Sequence, residues 1–155
     1  MQRKARFHNL ALKALIRMAS LVILSGICIA EIANAKEETM QVIIEFDNQK
    51  VLIELEENAT SKAFVEMLPL ELEWSDFANK EKITYLPSKL QAKGDSSYIP
   101  QIGDFFCYAP WGNVGIFYEK QPPNSGLVFM GKVKNGLGIL KSQNKPFKTQ
   151  VYLTQ

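Results

Sequence analysis

Near the start of the chain, "MQVIIEF" at 40–46 and "VLIELE" at 51–56 are β-branched, partly alternating runs separated by Asp47-Asn48-Gln49-Lys50. Two such runs around a short polar turn predict a β-hairpin. In the following "ATSKAFVEMLP", Ala63, Phe64, Met67 and Leu68 fall on one side at helical spacing. Thr60 or Asn58 can cap its start and Pro69 stops it, so one short helix is expected with its stripe in the core. Glu71 and Glu73 alternate with Leu70, Leu72 and Trp74, which predicts a strand over 70–75 with the acids on a solvated face. From Asp76 to Ile99 the pattern weakens to a long connection with one apolar insert, "ITYLP". Strand signals return in "DFFCYA", then the turn Pro110-Trp111-Gly112-Asn113, then "VGIFYEK", a second hairpin. "LVFMGKV" and "KTQVYLT" read as further strands, and "NGLGILKS" between them as a turn with one helical turn. Repeated short strands with turn signals and one or two small helices predict a mainly β fold, a closed and mainly antiparallel barrel.

The N-terminus has a different composition. Arg3, Lys4, Arg6, Lys13 and Arg17 form a basic region, and Met18 to Ala30 is an uncharged apolar run of thirteen residues. A bilayer span needs roughly twenty apolar residues, whereas the apolar region of a secretory signal runs about seven to fifteen. Ala33-Asn34-Ala35 supplies the small-x-small pattern that a signal peptidase accepts. Residues 1–35 are therefore expected to be a cleavable signal peptide and 36–155 the exported domain, periplasmic or secreted. An uncleaved anchor or a buried helix is the competing reading, and Ile27 before Cys28 speaks against a lipoprotein.

Export changes the charge balance. The whole sequence carries a formal +2, but residues 36–155 hold thirteen basic against fifteen acidic residues, a net of −2. The basicity belongs to the export signal, so no nucleic-acid partner is expected, nor a membrane one once the signal is cut. All three arginines, the only histidine (His8) and one of the two cysteines also fall in 1–35. Without His, neither a Ser-His-Asp nor a Cys-His nucleophile can be assembled. One thiol, Cys107, gives neither a zinc site nor an intramolecular disulfide; inside "FFCYA" it reads as buried and inert. The clustered Glu54, Glu56 and Glu57 read as a solvated face, and Gly136-Leu137-Gly138 is a lone G-x-G without the context of a phosphate site. Asn58-Ala59-Thr60 matches a glycosylation acceptor. No metal, cofactor or catalytic residue is assigned.

The order of motifs resembles the bacterial cyclophilin-like family of small domains. The resemblance covers nearly all of 40–153 and rests on Thr60 with its helix, Leu68-Pro69-Leu70, Asp76, Glu81-Lys82, Leu86-Pro87, Gly103-Asp104 and Phe117-Tyr118. It implies an eight-stranded barrel whose interior is filled by side chains. Relatives of this kind stand beside or are fused to flavodoxin-like domains, which implies a redox-associated partner without a flavin site here. On this reading Asp76, Glu81 and Lys82 fix a long loop over the barrel rim. Tyr85, Tyr98, Trp111 and Tyr118, with Phe117, form the candidate ligand-binding surface, because aromatics combine large contact area with polar tips. The function expected is a non-catalytic binding or accessory module for a peptide, protein or small molecule. A peptidyl-prolyl isomerase is the alternative, and it is disfavoured because the cyclophilin resemblance implies an Arg donor to the prolyl nitrogen and 36–155 contains no Arg.

Overall fold

The computed structural model describes residues 39–154; the expected signal peptide and its cleavage site lie outside them. Eight strands close into a barrel in the order β1-β2-β7-β5-β6-β4-β3-β8, every neighbouring pair antiparallel. They are β1 (Gln41–Phe46), β2 (Gln49–Leu55), β3 (Leu70–Phe77), β4 (Glu81–Tyr85), β5 (Asp104–Tyr108), β6 (Asn113–Phe117), β7 (Leu127–Asn135) and β8 (Phe147–Leu153). Helix α1 (Ala59–Val65) follows β2, and α2 (Leu137–Lys141) follows β7. Among the described residues, no helix is long and apolar enough to cross a membrane.

The first hairpin turns at Asp47 and Asn48, whose φ values of 47° and 60° are left-handed. Asp and Asn tolerate that region, and a two-residue turn of this hand matches the twist of the flanking strands. Asn58 caps α1, its side chain accepting from the Ser61 N–H at 2.9 Å while its own amide donates to the Phe129 carbonyl. The glycosylation-like motif is thus a helix cap tied to β7.

The connection expected over 76–99 is corrected. Phe77 ends β3, the chain turns at Ala78 and Asn79, and Glu81 begins β4, so the first part of the segment is a tight hairpin. Ala78 and Asn79 are both left-handed, with φ of 54° and 55°. Ala at such a position carries a steric cost and no turn signature, which is why the pattern read as loop. The Asn79 N–H donates to Asp76 Oδ1 at 3.1 Å and steadies the turn. "ITYLP" accordingly holds the second half of a barrel strand.

Alternation sets what is inside. Val42, Ile44 and Phe46, Val51, Ile53 and Leu55, and Leu72 and Trp74 point inward and are buried. Glu71 and Glu73 are exposed, as the pattern required. Trp74 satisfies its indole N–H on Thr149 Oγ1 at 3.1 Å, and Leu140 of α2 completes the core. Each such fully buried apolar side chain contributes about 1.5–3 kcal/mol.

Candidate functional site

β5 and β6 break the alternation. Their inward residues Phe105, Cys107, Val114 and Ile116 join the core, but the outward positions are buried as well. Phe106 and Phe117 stack on the outer face with centroids 4.0 Å apart and planes 11° from parallel. Ile83 of β4 and Leu127 of β7 pack beside them in a second apolar cluster. Gly115 makes this possible, because a Cβ there would lie 2.5 Å from the Phe106 Cζ; the ring lies over β6 where a side chain would stand.

Above this cluster is a pocket of about 320 Å³. Phe77, Tyr108 and Trp111 line it, and Gln121, Pro122, Pro123 and Asn124 of the β6–β7 loop add to its rim. Trp111 meets Phe77 at 5.6 Å and Tyr108 at 5.3 Å between centroids, both edge to face. Trp111 remains 47% exposed, so a large indole borders the opening.

Two acceptors stand in this wall without partners among the described residues. Glu81 pairs across the hairpin with Phe77 and across β6 with Phe117. Burial pushes its carboxyl up to about 7, and among the described residues no cation lies within salt-bridge distance of it. Asn113 also lines the pocket, and its buried Oδ1 accepts no hydrogen bond. An unsatisfied buried acceptor costs about 1–3 kcal/mol, so the pocket holds unused hydrogen-bonding capacity.

The inner face behind it is saturated. Lys82 points into the barrel and donates to Asp76 and to the Gln143 carbonyl. The Tyr118 hydroxyl donates to Asp76 at 2.8 Å, and the Lys82 ammonium lies 5.1 Å from the Tyr118 ring centre. Burial together with the Asp76 hydrogen bond raises the Tyr118 hydroxyl to about 12. Every group in this cluster is committed to a neighbour.

A second hollow lies between α1 and the chain before β5, lined by Tyr98, Asp104 and Lys132 among others. Asp104 is buried and accepts from Tyr98, from the Gln101 N–H and from Lys132, each at 2.7 Å. It too is fully engaged.

The expected site residues therefore separate. Trp111 and Phe117 line the pocket; Tyr118 belongs to the inner cluster, Tyr98 to the second hollow, and Tyr85 is 60% exposed outside both. Asp76, Glu81 and Lys82, expected to fix a rim loop, all sit on paired strands, and of the three Asp76 and Lys82 bind one another. Glu81 faces the other side of the sheet because neighbouring strand residues alternate. Phe77, Phe106, Tyr108 and Asn113 were not singled out from sequence. For Phe106 and Tyr108 the signal was the apolar run "FFCY", which reports a strand covered on both faces; Phe77 and Asn113 lie outside that run.

Residues 44–152 match the model of the cyclophilin-like family, and the chain belongs to that family. Among solved structures it is similar to a hypothetical protein of Archaeoglobus fulgidus determined in solution. That likeness has a TM-score of 0.61 at 19% identity, covering 77% of this chain and 98% of the other. At that identity the likeness concerns the fold. No curated protein matches the sequence.

Proposed function

We propose that the protein is an exported, non-catalytic binding module whose ligand site is the aromatic pocket on the outer face of β4, β5 and β6. The observation that carries this reading is the combination of an open aromatic wall with two acceptors, Glu81 and Asn113 Oδ1, that find no partner among the described residues. Pockets of this kind, mostly apolar with a few convergent polar groups, are where small ligands bind. Export is supported by the basic, apolar and small-residue order of residues 3–35.

Catalysis of prolyl isomerisation is disfavoured on chemistry. Peptide rotation faces a barrier of about 18–20 kcal/mol from amide resonance. The pocket wall offers acceptors, and its one charged donor, Lys80, is an exposed and flexible ammonium. Lacking one preorganised donor typically costs about a hundred- to a thousand-fold in rate.

Two measurements test this reading. NMR exchange on Xaa-Pro peptides with added protein should give rates at background, and rates comparable to those of an active isomerase would overturn the non-catalytic assignment. Mass spectrometry of the protein from its producing cells should give an N-terminus at Lys36; a mature chain beginning at Met1 would overturn the export assignment.

A further inference from the structure

Resting on the reading of this pocket as the ligand site, we infer that its ligand is a small protonated amine carrying a flat apolar body, of the arylalkylamine class. The polar groups decide the sign of charge. Glu81 is a carboxyl on the pocket wall; Lys80 lines the same pocket, but among the described residues no cation stands within salt-bridge distance of Glu81, and Asn113 adds a second acceptor. An anion would meet repulsion at Glu81, whereas an ammonium supplies the missing counter-charge and donors together. The aromatic wall agrees, since the electron-rich faces of Trp, Tyr and Phe attract cations.

The register sets the shape. Glu81 pairs with Phe117 and Tyr85 with Asn113, so the two acceptors stand four positions apart on adjacent strands. At about 3.3 Å per residue, that is about 13 Å along the sheet. Phe106 lies between them over Gly115. An ammonium at Glu81, a planar body over Phe106 and a donor reaching toward Asn113 satisfy each part of the wall. The volume of about 320 Å³ favours a free small molecule over a peptide segment.

The groups around Glu81 limit how pH acts. Lys80 of the hairpin turn and Tyr108 of β5 also line the pocket. Tyr118, beyond β6, feels the Glu81 charge but titrates far above neutrality. Phe77 of β3 and the loop residues 121–124 carry no titratable group. Glu81 is thus the group that changes charge near neutral pH. Binding of a cation needs its carboxylate, so affinity should rise about tenfold between pH 6 and pH 8.

The experiment uses the two tryptophan indole N–H signals in ¹⁵N NMR, Trp111 at the pocket and buried Trp74 as internal control. Tyramine, 4-ethylphenol and 3-(4-hydroxyphenyl)propionate share a phenol and differ in charge. We expect tyramine to shift Trp111 saturably, 4-ethylphenol to bind at least tenfold more weakly, and the propionate not to shift it. Glu81→Gln should bring tyramine down to the level of 4-ethylphenol and remove the pH dependence, with the Trp74 signal unchanged as proof of fold. Equal binding of all three probes would overturn the amine assignment while leaving the pocket as a ligand site. Absence of any Trp111 shift would overturn both.

Discussion

Asp76 and Lys82 are direct partners across the β3–β4 hairpin, yet they differ in access to water: the Lys82 side chain is 1% exposed and that of Asp76 30%. The pair is therefore asymmetric. Removing Asp76 strands an ammonium inside the barrel with the Gln143 carbonyl as its remaining acceptor, whereas removing Lys82 leaves a carboxylate that water and Tyr118 can still reach. Asp76→Ala should cost about 3 kcal/mol and Lys82→Met about 1 kcal/mol. Urea denaturation of the two variants measures the difference, and equal costs would contradict it.

Acid should act through Asp76. Burial alone raises its carboxyl, but the hydrogen bonds from Lys82 and Tyr118 outweigh that and hold it below the ordinary value of 3.8. This stability is present above 3.8 and is lost as pH falls through the lower folded value.

Glu81 should act in the opposite sense. Its folded value of about 7 exceeds the ordinary 4.5, so the folded state holds the proton more tightly and stability falls as pH rises from 4.5 to about 7. A shift of one unit is worth about 1.4 kcal/mol, and partial solvent access leaves about 1–2 kcal/mol for the whole effect. Glu81→Gln should abolish this slope and be more stable than the parent at pH 8. Denaturation at pH 5 and pH 8 checks both statements.

Gly115→Ala places a methyl group against the Phe106 ring, which is held by its stack on Phe117 and cannot swing freely. Overpacking of this kind costs about 1–3 kcal/mol. The same change should displace the ring that floors the pocket, read as altered ring-current shifts at Phe117. A variant as stable as the parent with unchanged shifts would contradict the packing described.

Cys107 is buried, and that burial raises its thiol to about 11. A thiol so protonated and enclosed reacts slowly. Labelling by an aromatic disulfide reagent at pH 8 should proceed only with unfolding; immediate labelling of the native protein would contradict the inward placement of β5.

Much of the barrel was legible in the sequence because its strands alternate and its turns carry Asp, Asn, Gly or Pro. The Asp47-Asn48 hairpin, the α1 cap and the Glu71 to Trp74 strand all follow from local chemistry. The β3–β4 hairpin did not, because Ala78 takes a backbone conformation that its side chain gives no reason to expect. The site was less legible for a related reason. Side-chain type marked Trp111 and Phe117, but Tyr98 and Tyr118 lie outside the strands, before β5 and just past β6, and stand apart from the pocket, whereas strand register brings Phe77 and Glu81 into it.

Fragment screening by ¹⁵N NMR on the purified protein tests most directly whether the outer-face pocket is where this protein meets a ligand. Bound fragments are predicted to shift the Trp111 indole and the amides of Phe77, Glu81, Asn113 and Phe117, leaving the Trp74 indole and the surroundings of Tyr98 and Asp104 unmoved. Fragments that instead cluster around Tyr98 and Asp104, or that leave Trp111 unshifted throughout, would contradict it.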